Sequence, residues 1–140
     1  MDHEAITGRV IGAAMRVHGA LGPGFVERVY QNALAVELRD AGLNVACERP
    51  LEVRYRGVIV GEFVADMVVA ECVLVENKAV RAVAPAHEVQ VVNYLTATGL
   101  DVGLLINFGA SSLQFRRLTR VYVPGGRREA GEQPGRDLRD

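Results

Sequence analysis

Residues Gly61 to Lys78 read G-E-F-V-A-D-M-V-V-A-E-C-V-L-V-E-N-K. Two Val-rich runs lie on either side of a short polar break, Ala70-Glu71-Cys72. Valine is enriched in strands, and a brief polar interruption between two such runs is typical of a tight connection. The sequence therefore predicts a β-hairpin, around which the rest of the chain is organised.

Alternation along the two strands places charged side chains on a shared face. Glu76 and Lys78 point to the same side of the second strand. If the loop comprises residues 70 to 72, Asp66 on the first strand lies directly across from Glu76. A register slip of one residue would move the two carboxylates to opposite faces. The same alternation predicts a common opposite face on the first strand for Phe63, Ala65 and Met67.

Spacing alone leaves two interpretations of these charges open. Charges among Val, Leu and Met lose hydration, so they require a partner or a metal. One interpretation is a salt bridge between Lys78 and one carboxylate near a sheet edge. The other is a carboxylate pair that holds a hard cation such as Mg²⁺, with Lys78 orienting a water nucleophile. Lys78 is the only lysine among 16 basic residues, all the others being arginine, and this favours the second interpretation.

Length and composition limit the classes of protein to which this chain can belong. A chain of 140 residues with 49% hydrophobic and 24% charged residues is typical of one soluble globular domain. A formal net charge of −1 excludes a global attraction to nucleic acid or membrane, so any polyanion site must be a local patch. Cys47 and Cys72 form no C-x-x-C pair, and no apolar run reaches the length of a membrane span. We expect a cytoplasmic protein.

Hydrophobic periodicity predicts a mixed β-sheet flanked by α-helices. The order of elements is helix, helix, three strands, helix, strand, strand. Residues 1–123 form the predicted domain, and residues 124–140, rich in Gly, Pro and charge, predict a disordered tail. Besides the hairpin, the predicted elements are helices at Asp2–Gly19, Gly24–Ala41 and Ala86–Thr98, and strands at Asn44–Tyr55, Val102–Phe108 and Leu113–Val123.

Glu27 heads the apolar stripe of the second predicted helix, which continues through Tyr30 and Leu34. An unpaired carboxylate is unfavourable at such a position. One interpretation is a glutamate at a helix N-terminus that interacts favourably with the helix dipole. The other is a third carboxylate directed at the same metal site, and Glu27 alone does not decide between them.

Two further groups leave alternatives open. Gln90 and Tyr94 share one face of the third predicted helix. Without other information, the default interpretation is that Tyr94 is a core aromatic residue and Gln90 a solvated neighbour. The last predicted strand carries three arginines, Arg116, Arg117 and Arg120. They could contact phosphate groups, or they could form a solvated basic strand edge.

Several motifs together resemble a known family. Gly24-x-x-Glu27-x-x-Tyr30 resembles the motif that names the GxxExxY family, small proteins similar to PD-(D/E)xK nucleases. Asp66 with Glu76-Asn77-Lys78 resembles the D…(D/E)xK active-site signature. Gln90-x-x-x-Tyr94 resembles the QxxxY element of RecB-like nucleases, and the Gly103–Gly109 run, G-L-L-I-N-F-G, also resembles this family. The resemblance covers nearly the whole predicted domain.

This resemblance implies a restriction-endonuclease-like α/β fold and a Mg²⁺- or Mn²⁺-dependent nuclease. Its partner would be nucleic acid, with DNA favoured over RNA, and cleavage would leave a 5′-phosphate and a 3′-hydroxyl. Similar nucleases of this size also suggest a homodimer. The implied catalytic residues are Asp66, Glu76, Lys78 and Glu27. The implied metal ligands are Asp66, Glu76, Glu27 and, through its carbonyl, Asn77. The implied substrate contacts are Gln90, Tyr94 and Tyr30.

The chain departs from the pattern at two positions. Ala65 stands where the superfamily name has proline, a residue that carries no chemistry. Asn77 stands where family members carry an apolar residue, so we expect its side chain to point away from the metal into whatever packs behind the sheet. Because a fold does not establish an activity, a second hypothesis is a nucleic-acid-binding or assembly module that keeps this fold with weak or no catalysis.

Overall fold

The computed structural model describes residues 2–121, so the predicted boundary at residue 123 and the predicted tail at 124–140 lie outside the described residues. The order of helices and strands matches the prediction. No helix within residues 2–121 has the length and apolar character needed to cross a membrane. The elements are α1 (His3–Leu21), α2 (Glu27–Asp40), β1 (Val45–Tyr55), β2 (Val58–Val69), β3 (Val73–Lys78), α3 (Pro85–Thr98), β4 (Val102–Asn107) and β5 (Gln114–Thr119).

The strands form one five-stranded mixed sheet in the order β1-β2-β3-β4-β5. β3 and β4 are parallel and are connected through α3, whereas the other neighbouring strands are antiparallel. Parallel neighbours need such a crossover because the end of one strand and the start of the next lie at opposite ends of the sheet. β1 is an edge strand, a position that tolerates Pro50, which has no N–H to donate to a neighbouring strand. The predicted mixed sheet flanked by helices is confirmed.

Helices cover both faces of the sheet, so the domain has two apolar cores. On β3, Val73 and Val75 pack into the core that contains α1 and α2. Leu74 points the other way and packs against α3. β3 and β4 are therefore buried on both faces, which explains their nearly continuous apolar sequences.

The second helix begins at Glu27, three residues later than predicted. Gly24 has a φ of +120°, far from helical values, so the helix cannot extend back to it. The Tyr30 hydroxyl holds the preceding loop by donating to the carbonyl of Gly22 and accepting from the N–H of Phe25. These bonds fix the approach of the chain to α2 and thereby the position of Glu27.

The loop between β2 and β3 comprises residues 70–72, as predicted. Ala70 and Glu71 have φ values of 54° and 57°, and the N–H of Cys72 donates to the carbonyl of Val69 at 3.0 Å. Two consecutive left-handed residues match the right-handed twist of a hairpin. The turn forms with these non-glycine residues, and it sets the register of the strands that carry the candidate site.

Asn107 fixes the backbone that follows Lys78. Its Oδ1 accepts from the N–H groups of Val80 and Gly109, and its Nδ2 donates to the Val80 carbonyl, at 2.9–3.0 Å. The N–H of Phe108 donates to the carbonyl of Lys78 at 2.8 Å. Since Asn107 is fully buried, these bonds form away from competing water.

We predict that Gly109→Ala destabilises the protein by roughly 1–3 kcal/mol, because overpacking at a tight site forces backbone shifts. A β-carbon at Gly109 would overlap the backbone of Val80. Urea denaturation measures the loss. The control is Gly8→Ala in α1, where nothing other than the neighbouring backbone of the helix lies within 4 Å of the added carbon. It should stabilise by roughly 0.5–1 kcal/mol, and equal effects of the two variants would contradict the prediction.

Candidate active site

The hairpin of β2 and β3 has the predicted register, but its backbone ladder ends just before the carboxylates. Paired residues run from Val69 and Val73 to Met67 and Val75. The next positions in the same register are Asp66 and Glu76. The prediction that the two carboxylates lie across from one another is confirmed.

Crossed hydrogen bonds replace the ladder at this point. The N–H of Asp66 donates to Glu76 Oε2 at 2.8 Å, and the N–H of Asn77 donates to Asp66 Oδ2 at 2.8 Å. Each carboxylate thus satisfies a backbone donor of the opposite strand. Because buried N–H groups require acceptors, this pairing holds the two carboxylates side by side.

The pairing of β1 with β2 is also interrupted at Asp66, which lies opposite Glu48 in the β1–β2 register. Glu48 has a φ of 54°, a conformation that is uncommon for a residue other than glycine. Its Oε2 forms an ion pair with Arg28 Nη1 at 2.7 Å, which connects β1 to the first turn of α2. Asp66 therefore lies at an interruption of the ladders on both of its sides.

The strand β2 turns over at this interruption. Phe63 packs against Tyr94 of α3, with ring centroids 5.7 Å apart, and Ala65 lies in the α3 core. Met67 lies in the opposite core, with α1 and α2. The prediction that Phe63, Ala65 and Met67 share one face is wrong, because strict alternation requires a regular ladder and none is present at Asp66.

Lys78, and Tyr94 of α3, lie within electrostatic reach of the carboxylates, and Gln90 of α3 contacts Lys78. The Lys78 Nζ lies 3.5 Å from Gln90 Oε1. Tyr94 is 8% exposed, and burial raises the pKa of its hydroxyl, with a further rise from the charges of Glu76 and Asp66. Gln90 therefore contacts Lys78, and Tyr94 lies within electrostatic reach of the carboxylate pair. Their role toward substrate belongs to the proposal below.

The positive charge near the carboxylate pair does not offset its burial, because the pKa values of both carboxyl groups are raised. Burial, and then the charge of Asp66, raise the pKa of Glu76 from 4.5 to about 8. Burial also raises the pKa of Asp66, against the opposing effects of the Asn77 N–H and of Lys78. A divalent cation would offset both burial and repulsion, and carboxylate oxygens are the ligands that Mg²⁺ and Mn²⁺ prefer. The donor set fits such a metal.

Glu27, the first residue of α2, is exposed but acts electrostatically on the same site. Partial burial raises the pKa of its carboxyl, Lys78 lowers it and Asp66 raises it. Within residues 2–121, no group of three or more His, Cys, Asp or Glu side chains comes together as a metal site. The close donors are thus the two carboxylates, and Glu27 as a third ligand stays a prediction.

The Asn77 side chain points away from the carboxylates, as expected. It is fully buried, and its Nδ2 donates to the sulfur of Met67 at 3.3 Å. Its Oδ1 has no hydrogen-bond partner, which costs about 1–3 kcal/mol for a buried acceptor. The backbone N–H of Asn77 bonds to Asp66, so the backbone and not the side chain faces the site. The Asn77 carbonyl stays a predicted metal ligand.

Tyr30 differs from the substrate contact that the resemblance implied. Its side chain is fully buried and stacks on Phe108, with ring centroids 4.7 Å apart and the planes 8° from parallel. Its hydroxyl is already bonded to the loop before α2. Tyr30 therefore supports the position of Glu27 from inside the core, where a substrate cannot reach it.

Arg116 and Arg117 of β5, and Arg120 just after it, make internal contacts. Arg116 is buried and forms an ion pair with Glu88 of α3, Nη1–Oε2 2.9 Å. Arg117 donates to the hydroxyl of Thr7 in α1, and Arg120 donates to backbone carbonyls after α3. Their contacts connect β5 to helices on both faces, so neither a phosphate site nor a solvated edge describes Arg116.

Sequence reasoning missed two groups that shape the site. Asn107 lies inside the predicted apolar strand Val102–Phe108, and a single polar residue in such a run was the available signal for a buried role. The ion pair of Arg28 with Glu48 had no comparable signal, because the sequence does not indicate that Glu48 adopts a left-handed conformation.

Comparison with known proteins agrees with this geometry. Residues 4–118 match the family model described as the PD-(D/E)XK nuclease superfamily, and the chain belongs to that superfamily. The crystal structure of SSO0001 is similar, with a TM-score of 0.52 and 16% identity over 69% of this chain and 50% of that one. The chain thus spans half the length of SSO0001, and the likeness supports the fold alone. Among curated proteins, none matches the chain. Membership of the GxxExxY family stays a prediction.

We predict that Glu76→Gln stabilises the metal-free protein increasingly as pH rises. The raised pKa of about 8 means that the folded wild type binds this proton more tightly than the unfolded chain, whose value is near 4.5. The contribution of the neutral carboxyl is therefore present at low pH and is lost as pH rises through this window. Urea denaturation in EDTA should show a difference that grows by roughly a few kcal/mol between about pH 5 and about pH 9.

Glu37→Gln is the matched control, because Glu37 is an exposed carboxylate that pairs with Arg16 at 2.9 Å. Its effect should be small at every pH, as is usual for surface ion pairs. A stability difference for Glu76→Gln that stays constant with pH would contradict the assignment.

Proposed function

We propose that this protein is a divalent-metal-dependent nuclease that hydrolyses phosphodiester bonds of nucleic acid, with DNA as the favoured substrate. The observation that carries the proposal is the crossed bonding of Asp66 and Glu76, which holds two largely desolvated carboxylates close enough to Lys78 for its charge to act on both. Membership of the PD-(D/E)XK superfamily supports it. The alternative, a binding module without catalysis, is not favoured because these three groups are all present and lie together.

In this proposal, Asp66 and Glu76 hold Mg²⁺ or Mn²⁺. Glu27 and the carbonyl of Asn77 are the proposed additional oxygen ligands. When bound, the cation supplies concentrated positive charge that stabilises the negative charge developing on the phosphate. The protein supplies the fixed positions of these oxygens, which the broken ladder at Asp66 sets before any metal arrives.

Lys78 positions the attacking water and stabilises charge on the phosphate. Hydrolysis forms a bond from the water oxygen to phosphorus and breaks the bond to the 3′ oxygen, leaving a 5′-phosphate and a 3′-hydroxyl. Gln90, 3.5 Å from the Lys78 ammonium, restrains it. Gln90 and Tyr94 are also the proposed contacts to the substrate backbone. An arginine would not replace Lys78, because a planar guanidinium is broader than an ammonium.

Location and assembly belong to the same proposal. We place the protein in the cytoplasm, which is supported by two free cysteines, Cys47 and Cys72. Homodimerisation stays a prediction from the resemblance.

The test is cleavage of labelled single- and double-stranded DNA and RNA with Mg²⁺ or Mn²⁺. We predict that Asp66→Asn and Lys78→Ala each lower the rate by roughly 100-fold or more, as expected for groups that act on the reacting atoms. Glu37→Gln, far from these groups in the α1–α2 ion pair, should cleave at the wild-type rate. EDTA should abolish cleavage.

Two results would overturn this function. Cleavage that persists in both site variants would identify a contaminating nuclease. Salt-dependent binding of nucleic acid by the wild type, without cleavage in either metal, would favour the binding module instead.

A further inference from the structure

A groove runs between α3 and the outer half of the β1–β2 hairpin, and we call it the α3–hairpin groove. Its volume is about 1210 Å³. The carboxylates are not part of its lining, so it is a separate feature of the surface. The residues that matter here are Arg49, Arg54, Phe63, Gln90, Asn93 and Tyr94.

The groove opens toward the candidate active site at one end. Gln90 and Tyr94 line the groove, and each also lies next to a charged group of the candidate site, Gln90 beside Lys78 and Tyr94 near the carboxylates. Gln90 Oε1 lies 3.5 Å from the Lys78 ammonium. The pKa of the Tyr94 hydroxyl is raised first by burial and then by the charge of Glu76, so Tyr94 lies close to that carboxylate. A chain lying in the groove would therefore lead directly to the reacting groups.

The floor of the groove is apolar and includes an accessible aromatic ring. Phe63 is 44% exposed and packs against Tyr94, and Leu51, Val53 and Ala97 are among the other apolar residues that line the groove. A nucleic-acid duplex hides its base faces inside the stack, so it gains little from such a floor. Unpaired bases expose those faces and stack on aromatic side chains.

The walls of the groove provide groups for a phosphate backbone. Arg49 and Arg54 pair with Glu71 and Glu52 at 2.9 and 2.8 Å. Surface ion pairs of this kind contribute little free energy, so the guanidinium groups can exchange a carboxylate for a phosphate. Asn93 and Gln90 of α3 add amide donors on the other side. Cationic and aromatic groups thus face the same channel.

We propose that the α3–hairpin groove binds a single-stranded segment of nucleic acid and leads it into the site of Asp66, Glu76 and Lys78. This inference rests on the proposed function and specifies its substrate as an unpaired strand. The apolar floor and the exposed ring favour an unpaired strand over a duplex. The flanking arginines and the continuity with the site favour nucleic acid over a second copy of the chain.

The test is fluorescence anisotropy of the full chain in EDTA, which prevents cleavage, with labelled single-stranded DNA, single-stranded RNA and duplex DNA. Either single strand should bind at least roughly tenfold more tightly than the duplex. Phe63→Ala should weaken single-strand binding by roughly 5- to 100-fold, the range for loss of one base stack. Arg54→Gln is a second variant that should flatten the salt dependence, because one phosphate contact is lost.

Val64→Ala is the matched control. Val64 is adjacent to Phe63 and 53% exposed, yet it does not line the groove. Its single-strand affinity should equal that of the wild type. Equal or tighter binding of the duplex would overturn the proposal, as would wild-type affinity in both Phe63→Ala and Arg54→Gln. A change of oligomeric state in Phe63→Ala, seen by light scattering without strand preference, would assign the groove to a second copy.

The two proposals fail in different ways. Single-strand binding in EDTA without cleavage in Mg²⁺ or Mn²⁺ would refute the nuclease while supporting the groove. Cleavage of both strand types with equal efficiency, unaffected by Phe63→Ala, would support the nuclease and refute the groove.

Discussion

The exchange of hydrogen bonds between Asp66 and Glu76 across two antiparallel strands is the interaction on which this site depends. A regular ladder would join these strands through their backbones and leave both side chains to find partners elsewhere. Here each carboxylate accepts a backbone N–H from the opposite strand, at 2.8 Å in both cases. The strands stay connected while their charged groups are held together, which is a costly arrangement that burial alone does not favour.

Buried polar residues outside the pair hold the remaining charged groups in place. Asn107 binds the backbone beyond Lys78, and Tyr30 binds the loop that leads into Glu27. Both are fully buried, so their bonds restrain the backbone without competition from water. The apolar cores on the two faces of the sheet supply the stability that such a strained, charged centre removes. The site is therefore built on buried, hydrogen-bonded elements that hold its few charged groups in place.

The sequence predicted the order of the elements and the apposition of the carboxylates, because the loop at residues 70–72 sets the hairpin register. It did not predict that β2 turns over between Ala65 and Met67. That reversal follows from interrupted pairing on both sides of Asp66, which no pattern of hydrophobic residues encodes. Tyr30 was similarly ambiguous, because a position on a helix stripe suits a substrate contact and a core residue equally well. The local sequence pattern predicts where the strands lie, whereas tertiary hydrogen bonds determine which face of the sheet each side chain occupies.

The most direct test of a cation site between Asp66 and Glu76 is a Mn²⁺ titration, with free Mn²⁺ followed by electron paramagnetic resonance. The wild type should bind the ion with a simple saturable isotherm, and Glu37→Gln should bind equally well. Asp66→Asn and Glu76→Gln should each weaken binding strongly, because either change removes one of the two anionic ligands. Unchanged Mn²⁺ affinity in Asp66→Asn would contradict the site.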